Sequence, residues 1–226
     1  MTKSARKPRP RRRIPEPGGN TRERILAAAL EVFAEQGFDG AKMRDIAERA
    51  GANLGLLTYY FGGKRKLWQA AVASAFRELQ DELAEAVAPA PSGAAADERV
   101  RLEHLLRRFV HFVSRRPAFM RVMNDEGKRD SPRMRWLADH HVRPLLDALR
   151  RLVEAAQARG VLPAMPAVSV HYIALGAAGL LFSQAPECAY LTGVDPTAEG
   201  FAAAHADALV RLLLGPRSIE PASGSV

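Results

Sequence analysis

The sequence is poor in the residues and patterns that most enzyme chemistry needs. Among its 226 residues there is one cysteine, Cys188, which excludes a disulfide within the chain and a cysteine-based zinc site. The patterns HExxH, GxxxxGK[ST], GxSxG and GxGxxG are all missing, so the zincin, P-loop, nucleophile-elbow and dinucleotide-binding fingerprints are absent. The six histidines are scattered. His140 and His141 are neighbours, about 100° apart on a helix, and His104 and His111 lie two turns apart; neither pair suits one ion. No catalytic group, metal or cofactor is expected. No stretch reaches the roughly eighteen uncharged apolar residues of a membrane span. Nor is there an alternating run long enough for a sheet, so the expected fold is all-α.

What the sequence does contain is a dense local pattern between Arg44 and Leu67, RDIAERAGANLGLLTYYFGGKRKL. Ile46, Ala47 and Ala50 fall at helical spacing and give a first helix one apolar stripe. Gly51 is placed to end it, where a left-handed backbone carries no Cβ penalty. Asn53 is a favourable N-cap for a second helix from Leu54 to about Phe61. On that helix Leu57 and Phe61 point one way, while Gly55, Thr58 and Tyr59 point the other, with Leu56 at the edge. A third helix starts near Lys64. Two short helices joined by a tight glycine-containing turn make a helix-turn-helix, whose second helix can enter the DNA major groove. The same shape occurs in all-α proteins that never touch nucleic acid. Three local features favour a DNA reader. Tyr59 and Tyr60 carry hydroxyls that can donate to phosphate oxygens. Lys64, Arg65 and Lys66 sit where a helix N-terminus already favours an anion. Basic residues outnumber acidic ones from Arg44 to Lys66, which gives the field the right sign.

The run from Asn20 to Trp68 resembles the DNA-binding domain of the TetR family of bacterial transcriptional regulators. The resemblance lies in TRERILAAALEVFAEQGF at its start, DIAERAG in the middle, and LLTYYFGGK followed by LW at its close. Ala41 and Lys42 depart from it, since family members carry Ser or Thr before Met43. Leu54 stands for a polar residue and Thr58 for an aromatic one. Matched position by position, the family motif implies Arg44, Leu54, Gly55 and Leu56 at base edges, the two leucines through apolar contact, for instance with thymine methyls. It implies Thr58, Tyr59, Tyr60 and Lys64 on phosphates.

In chain order, residues 1–19 carry seven basic residues, one acidic residue and four prolines, hence +6 of the formal net charge of +8. That composition reads as a disordered basic tail, either a solvated leader or an arm adding salt-sensitive DNA affinity. It has no apolar segment of a secretory signal. Residues 20–66 are expected to form the helix-turn-helix domain, starting with a capping box at Asn20 and Glu23 and ending its first helix at Gly37. Ile25, Phe33, Ile46, Leu57 and Phe61 are its expected core. A unit so small should lean on a long helix from Lys64 to about Val87, with Leu67, Ala71, Ala75, Leu79 and Leu83 on one side. After a proline-containing break at 88–97, helices are expected at 98–116, 134–159 (with a kink or break near Arg143 from Pro144), 168–184 and 197–214. An apolar piece at 118–124 and a charged link at 125–131 lie between the first two. Residues 67–215 thus form a larger helical domain, and 216–226 a flexible C-terminal tail.

The stretch 168–184 is nearly free of charge and rich in Ala and Gly. A helix apolar all round must be buried, in its own core or against a second copy. Paired readers favour the second copy, because two half-sites lie one DNA turn apart, and the TetR resemblance implies a dimer bundle of the C-terminal helix pair, 168–184 and 197–214. Phe109, Phe112, Phe119, Met120, Met123, Trp136 and Phe182 read as ordinary core or, with His140, as the lining of a pocket for a small apolar effector. The resemblance implies such an effector, bound in the larger domain and lowering DNA affinity. The expectation is therefore a homodimeric regulator of a palindromic double-stranded operator, a repressor acting in the cytoplasm at the nucleoid. The rival readings are a sequence-neutral DNA-coating protein driven by the tail, and a helical small-molecule carrier or enzyme.

Overall fold

The computed structural model of the chain describes residues 19–88 and 98–215, the side chains of the first two excepted. The basic leader, the 89–97 part of the proline-containing break and the 216–226 tail lie outside these, as does the side chain of the expected cap Asn20. Among the described residues all regular structure is helical, and it begins with α1, Gly19–Gly40. Gly37, at φ 67°, leaves helical geometry inside α1, where the pattern expected the helix to stop. There follow α2 (Met43–Arg49), α3 (Leu54–Phe61) and α4 (Lys64–Val87). Ile25, Phe33, Ile46, Leu57 and Phe61 are all buried, as expected from their spacing. The three short helices do not close this core alone. Leu67, Trp68, Ala71 and Val72 of α4 are buried with them in one continuous cluster that runs on through Phe76 to Phe112, Phe119 and Phe182.

The body continues with α5 (Glu98–Arg115), α6 (Pro117–Gly127) and α7 (Pro132–Leu137). The expected apolar piece at 118–124 is thus part of a three-turn helix. Ser131 caps α7 by accepting the Met134 amide at 3.1 Å, so that helix starts two residues earlier than the pattern suggested. The helix expected over 134–159 is broken near Arg143, where a kink or break was expected. A π turn, Ala138–Val142, separates α7 from α8 (Arg143–Ala158), with Pro144 in the first turn of α8. Proline cannot donate back to the preceding turn, and one wide turn absorbs the mismatch.

The C-terminal part also differs from expectation. α9 covers Ala167–Ser183, but α10 (Ala185–Thr192) was not foreseen, and α11 is Phe201–Leu214 rather than starting at Thr197. A bend of 78° separates α9 from α10, and Pro186 in the first turn of α10 fits that break. The eight residues of α10 are too few to show a period. Ahead of α11, Asp195 accepts from the Thr197 amide at 2.8 Å and its hydroxyl at 2.7 Å, turning residues a helix could have claimed into an Asx turn. A second apolar cluster, with Leu102, Leu106, Leu152, Val153, Val210 and Leu214, joins α5, α8 and α11. No single helix is long and apolar enough to cross a membrane among the described residues.

Candidate nucleic-acid interface

The turn between α2 and α3 is built by backbone bonds that this sequence makes possible. Gly51 stands at φ 60°. Its amide reaches the Glu48 carbonyl at 3.1 Å and the Ala52 amide reaches the Ala47 carbonyl at 2.9 Å, the paired closure of a Schellman motif. Asn53 then holds an extended backbone, and its Oδ1 accepts the Leu56 amide at 2.8 Å. This is the N-cap expected from its position. By contrast α2 begins at Lys42 without a side-chain cap, and Ala41 is buried. That is the outcome of lacking Ser or Thr there. At the other end of α2, Arg49 donates through both terminal nitrogens to Glu35 of α1 at 2.6 and 2.7 Å. Arg49 is the main reason the Glu35 carboxyl lies below its ordinary value, through the hydrogen bond first. The pair is exposed and orients more than it stabilises.

Of the residues matched to base edges, Arg44, Leu54 and Gly55 are exposed, and Leu56 is half-buried against the core. Of those matched to phosphates, Tyr59 is 80% exposed and Thr58 is exposed, while Tyr60 and Lys64 are half-buried. Tyr59 and Tyr60 meet edge to face with ring centroids 5.5 Å apart. The Thr58 hydroxyl already donates to the Leu54 carbonyl at 3.0 Å, so a phosphate would have to draw that proton away. Lys64 likewise donates one proton to the Asp39 carbonyl at 3.0 Å. An ammonium has two more. Lys42, Arg65 and Lys66 are also exposed on this unit, and Arg22 lies over the Phe61 ring at 5.6 Å. Arg22 and Arg49 carried no signal in the pattern, because their partners are remote in sequence.

The residues expected to line an effector pocket are placed differently from one another. Phe112, Met120 and Phe182 are buried core, Phe109, Met123 and Trp136 are partly buried against it, and His140 is exposed. The packing here is tight: a Cβ at Gly179 would stand 2.7 Å from the Met120 methyl. His140 pairs its Nδ1 with the Trp136 carbonyl at 2.8 Å and stacks on that ring. The neighbouring His141 stacks on Phe76 at 4.9 Å, and its Nε2 is buried without a hydrogen-bond partner. Burial, then His140 and Arg77, push the His141 pKa down. Two hollows lie elsewhere. One of about 440 Å3 is lined by residues including Gly176, Leu180, Cys188 and Leu191, and one of about 390 Å3 by residues including Arg107 and Asp207. Neither is lined by any of the expected pocket residues. No cluster of His, Cys, Asp and Glu among the described residues could hold a metal ion.

The outward side of α3 and the capped turn before it define the N-terminal unit as a helix-turn-helix. Comparison with known proteins narrows the class. The family model of bacterial regulatory proteins, tetR family, matches residues 25–71. The model of the tetracyclin repressor-like C-terminal domain matches residues 99–213. This chain belongs to the TetR family of transcriptional regulators. Among its relatives is the HTH-type transcriptional repressor NicS of Pseudomonas putida, 29% identical over 62% of this chain. The match spans 65% of the NicS length, short of two thirds. The HTH-type transcriptional regulator BetI of Rhizobium meliloti is 30% identical over 71% of this chain and 73% of its own. The same fold is seen in AibR, solved with isovaleryl coenzyme A and operator DNA, at TM-score 0.68 and 17% identity over 87% of this chain and 99% of that one.

Proposed function

We propose that this chain is a homodimeric repressor that reads a palindromic operator through the outer face of α3 and leaves it when a small apolar effector binds the helical body. The observation that carries the reading is α3 itself, locked by its Asn53 cap with Gly55, Thr58 and Tyr59 turned to solvent. In this reading Arg44, Leu54, Gly55 and Leu56 face base edges, and Thr58, Tyr59, Tyr60 and Lys64 hold phosphates. NicS is named a repressor, and AibR was crystallised with both an acyl thioester and operator DNA; both support a ligand-responsive repressor.

Two readers need two copies. On α9 Val168, Tyr172, Ile173, Gly176 and Leu180 are exposed along one face, Tyr172 by 66%. On α11 Ala204, Ala208 and Leu212 repeat at helical spacing, Leu212 exposed by 77%. An apolar patch of this kind is what a monomer seldom leaves open, and the second copy is its proposed cover. Release requires the effector to bind the off-DNA state more tightly; equal affinity for both states shifts nothing. Because Phe112, Met120 and Phe182 are packed closed here, the effector would have to part them. Footprinting on DNA flanking the chain's own gene tests the proposal. A protected palindrome, lost on adding the effector, is expected. No protection of any fragment would favour a carrier or enzyme, and uniform coating that vanishes without residues 1–19 would favour the sequence-neutral reading.

A further inference from the structure

The reader meets the body along α1, which packs on α4 and α6, and at Phe38, where two cations sit over the ring. Phe38 follows the helix break at Gly37 and opens the turn that delivers α2. The Arg133 guanidinium carbon, from α7, lies 4.2 Å from the Phe38 ring centroid, and the Lys64 ammonium lies 4.9 Å from it. Arg133 is not a loose surface side chain. Its Nε donates to Glu126 at 2.9 Å, a carboxylate whose side chain is only 9% exposed, so the guanidinium is pinned from behind. Three residues later on the same short helix, Trp136 touches Trp68 of α4 at 5.7 Å, and Trp68 in turn meets the Phe38 ring edge to face at 6.2 Å. Residues three apart share one face of a helix. α7 therefore applies one cationic side chain to the reader directly and reaches it a second time through Trp68 at the start of the body, and its far end runs into the π turn that carries His140 and His141.

We infer that Arg133 is a positioning residue for operator reading. Seated on Phe38 and braced by Glu126, it sets the angle at which the helix-turn-helix leaves the body, and so the spacing of the two α3 helices in a dimer. The inference rests on α3 as the reading helix, but it assigns the orienting role to a residue of the body that makes no DNA contact. The physical reason is that a cation over an aromatic face is attracted by the ring quadrupole and prefers one geometry. A leucine in place of Phe38 would fill the space and hold no angle. A π turn adjoins α7, and such single wide turns inside helices recur at functional sites.

The test uses the full chain and three variants. Phe38→Leu removes the ring and leaves the Arg133–Glu126 pair intact. Arg133→Met paired with Glu126→Gln removes the cation without stranding a buried carboxylate. Phe38→Tyr keeps a ring under both cations. Amide hydrogen exchange of the DNA-free protein should quicken about five- to tenfold over residues 37–50 in the first two variants, stay as in the parent for Phe38→Tyr, and remain unchanged over α9 and α11 in all three. Operator affinity should fall by a similar factor in the same two variants, with the slope against salt unchanged because no phosphate contact is lost. Unaltered exchange over 37–50 in both disruptive variants would overturn the inference. A salt slope reduced by about one in the double variant would do so too, by making Arg133 itself a phosphate contact. Exchange is read without DNA, so a parent chain that bound no operator would sink the proposed function while the exchange result still decided the role of Arg133.

Discussion

The reader and the body treat their large apolar residues in opposite ways. In the helix-turn-helix, Ile25, Phe33, Ile46, Leu57 and Phe61 are buried, and the large hydrophobics left exposed, Leu54 and Tyr59, both lie on the side of α3 turned to solvent. In the body, Val168, Tyr172, Ile173, Leu180, Tyr190, Leu191 and Leu212 all remain in contact with water. The head is a finished object whose outer residues are available for a polar, anionic partner. The body leaves a large apolar face bare, of the kind that marks an interface with another apolar surface. On the proposed reading the same chain carries two interfaces that differ in kind. One is specified by turn chemistry and charge, the other by uncovered area.

That contrast can be broken most directly at the body. Tyr172→Asp combined with Leu180→Asp should turn a dimer into a monomer in sedimentation and weaken operator binding by at least about a hundredfold, because one half-site is then read alone. A double variant that stays dimeric would show that the uncovered face of α9 is not the interface. A smaller effect is expected at the head. Tyr59→Ala and Lys64→Ala should each weaken binding by up to about tenfold across different operator sequences, and Lys64→Ala should also flatten the salt dependence by about one unit. Unchanged affinity in both would remove the phosphate assignment. Below this lies Asn53→Ala, which deletes the cap of α3 and should cost about 1 kcal/mol of stability. In a chain of this size that is a fall of about 2–4 °C in the melting temperature. An unshifted melting curve would mean that α3 is held by packing alone.

The smallest effect separates the two regions by pH. His141 and His171, both in the body, are kept below the ordinary histidine value of 6.5 by burial, so each takes up its proton at a lower pH when folded than when unfolded. The unfolded chain then binds more protons as the pH falls below that value, and stability declines through the window beneath it. The loss between pH 7.5 and 5.5 should be partly removed in His141→Phe, which also replaces a buried nitrogen without a partner. Equal pH dependence in parent and variant would place the acid sensitivity elsewhere.

Legibility followed the range of the interactions. The Asn53 cap, the Gly51 turn and the burial of Leu57 and Phe61 depend on residues within a few positions of one another, and all are legible in the sequence. The break at Arg143 was readable from Pro144, but its form was not, because a π turn and a simple kink leave the same trace in sequence. α10 escaped because it is short and keeps Tyr190 and Leu191 exposed, so no buried period marks it. The pocket residues were legible as large apolar side chains of the middle helices. Whether such side chains enclose a space or fill it depends on how helices approach, as at Gly179 and Met120.

By itself the sequence determined that this chain is helical, that it begins with a helix-turn-helix, and which side of α3 turns outward, since caps, glycines and helical spacing act over a turn or two. Only the tertiary structure decided which face of α9 lies bare, that Glu35 answers Arg49, and that Arg133 comes to rest on Phe38. Those pairings join residues far apart along the chain, and their partners are chosen by how whole helices pack.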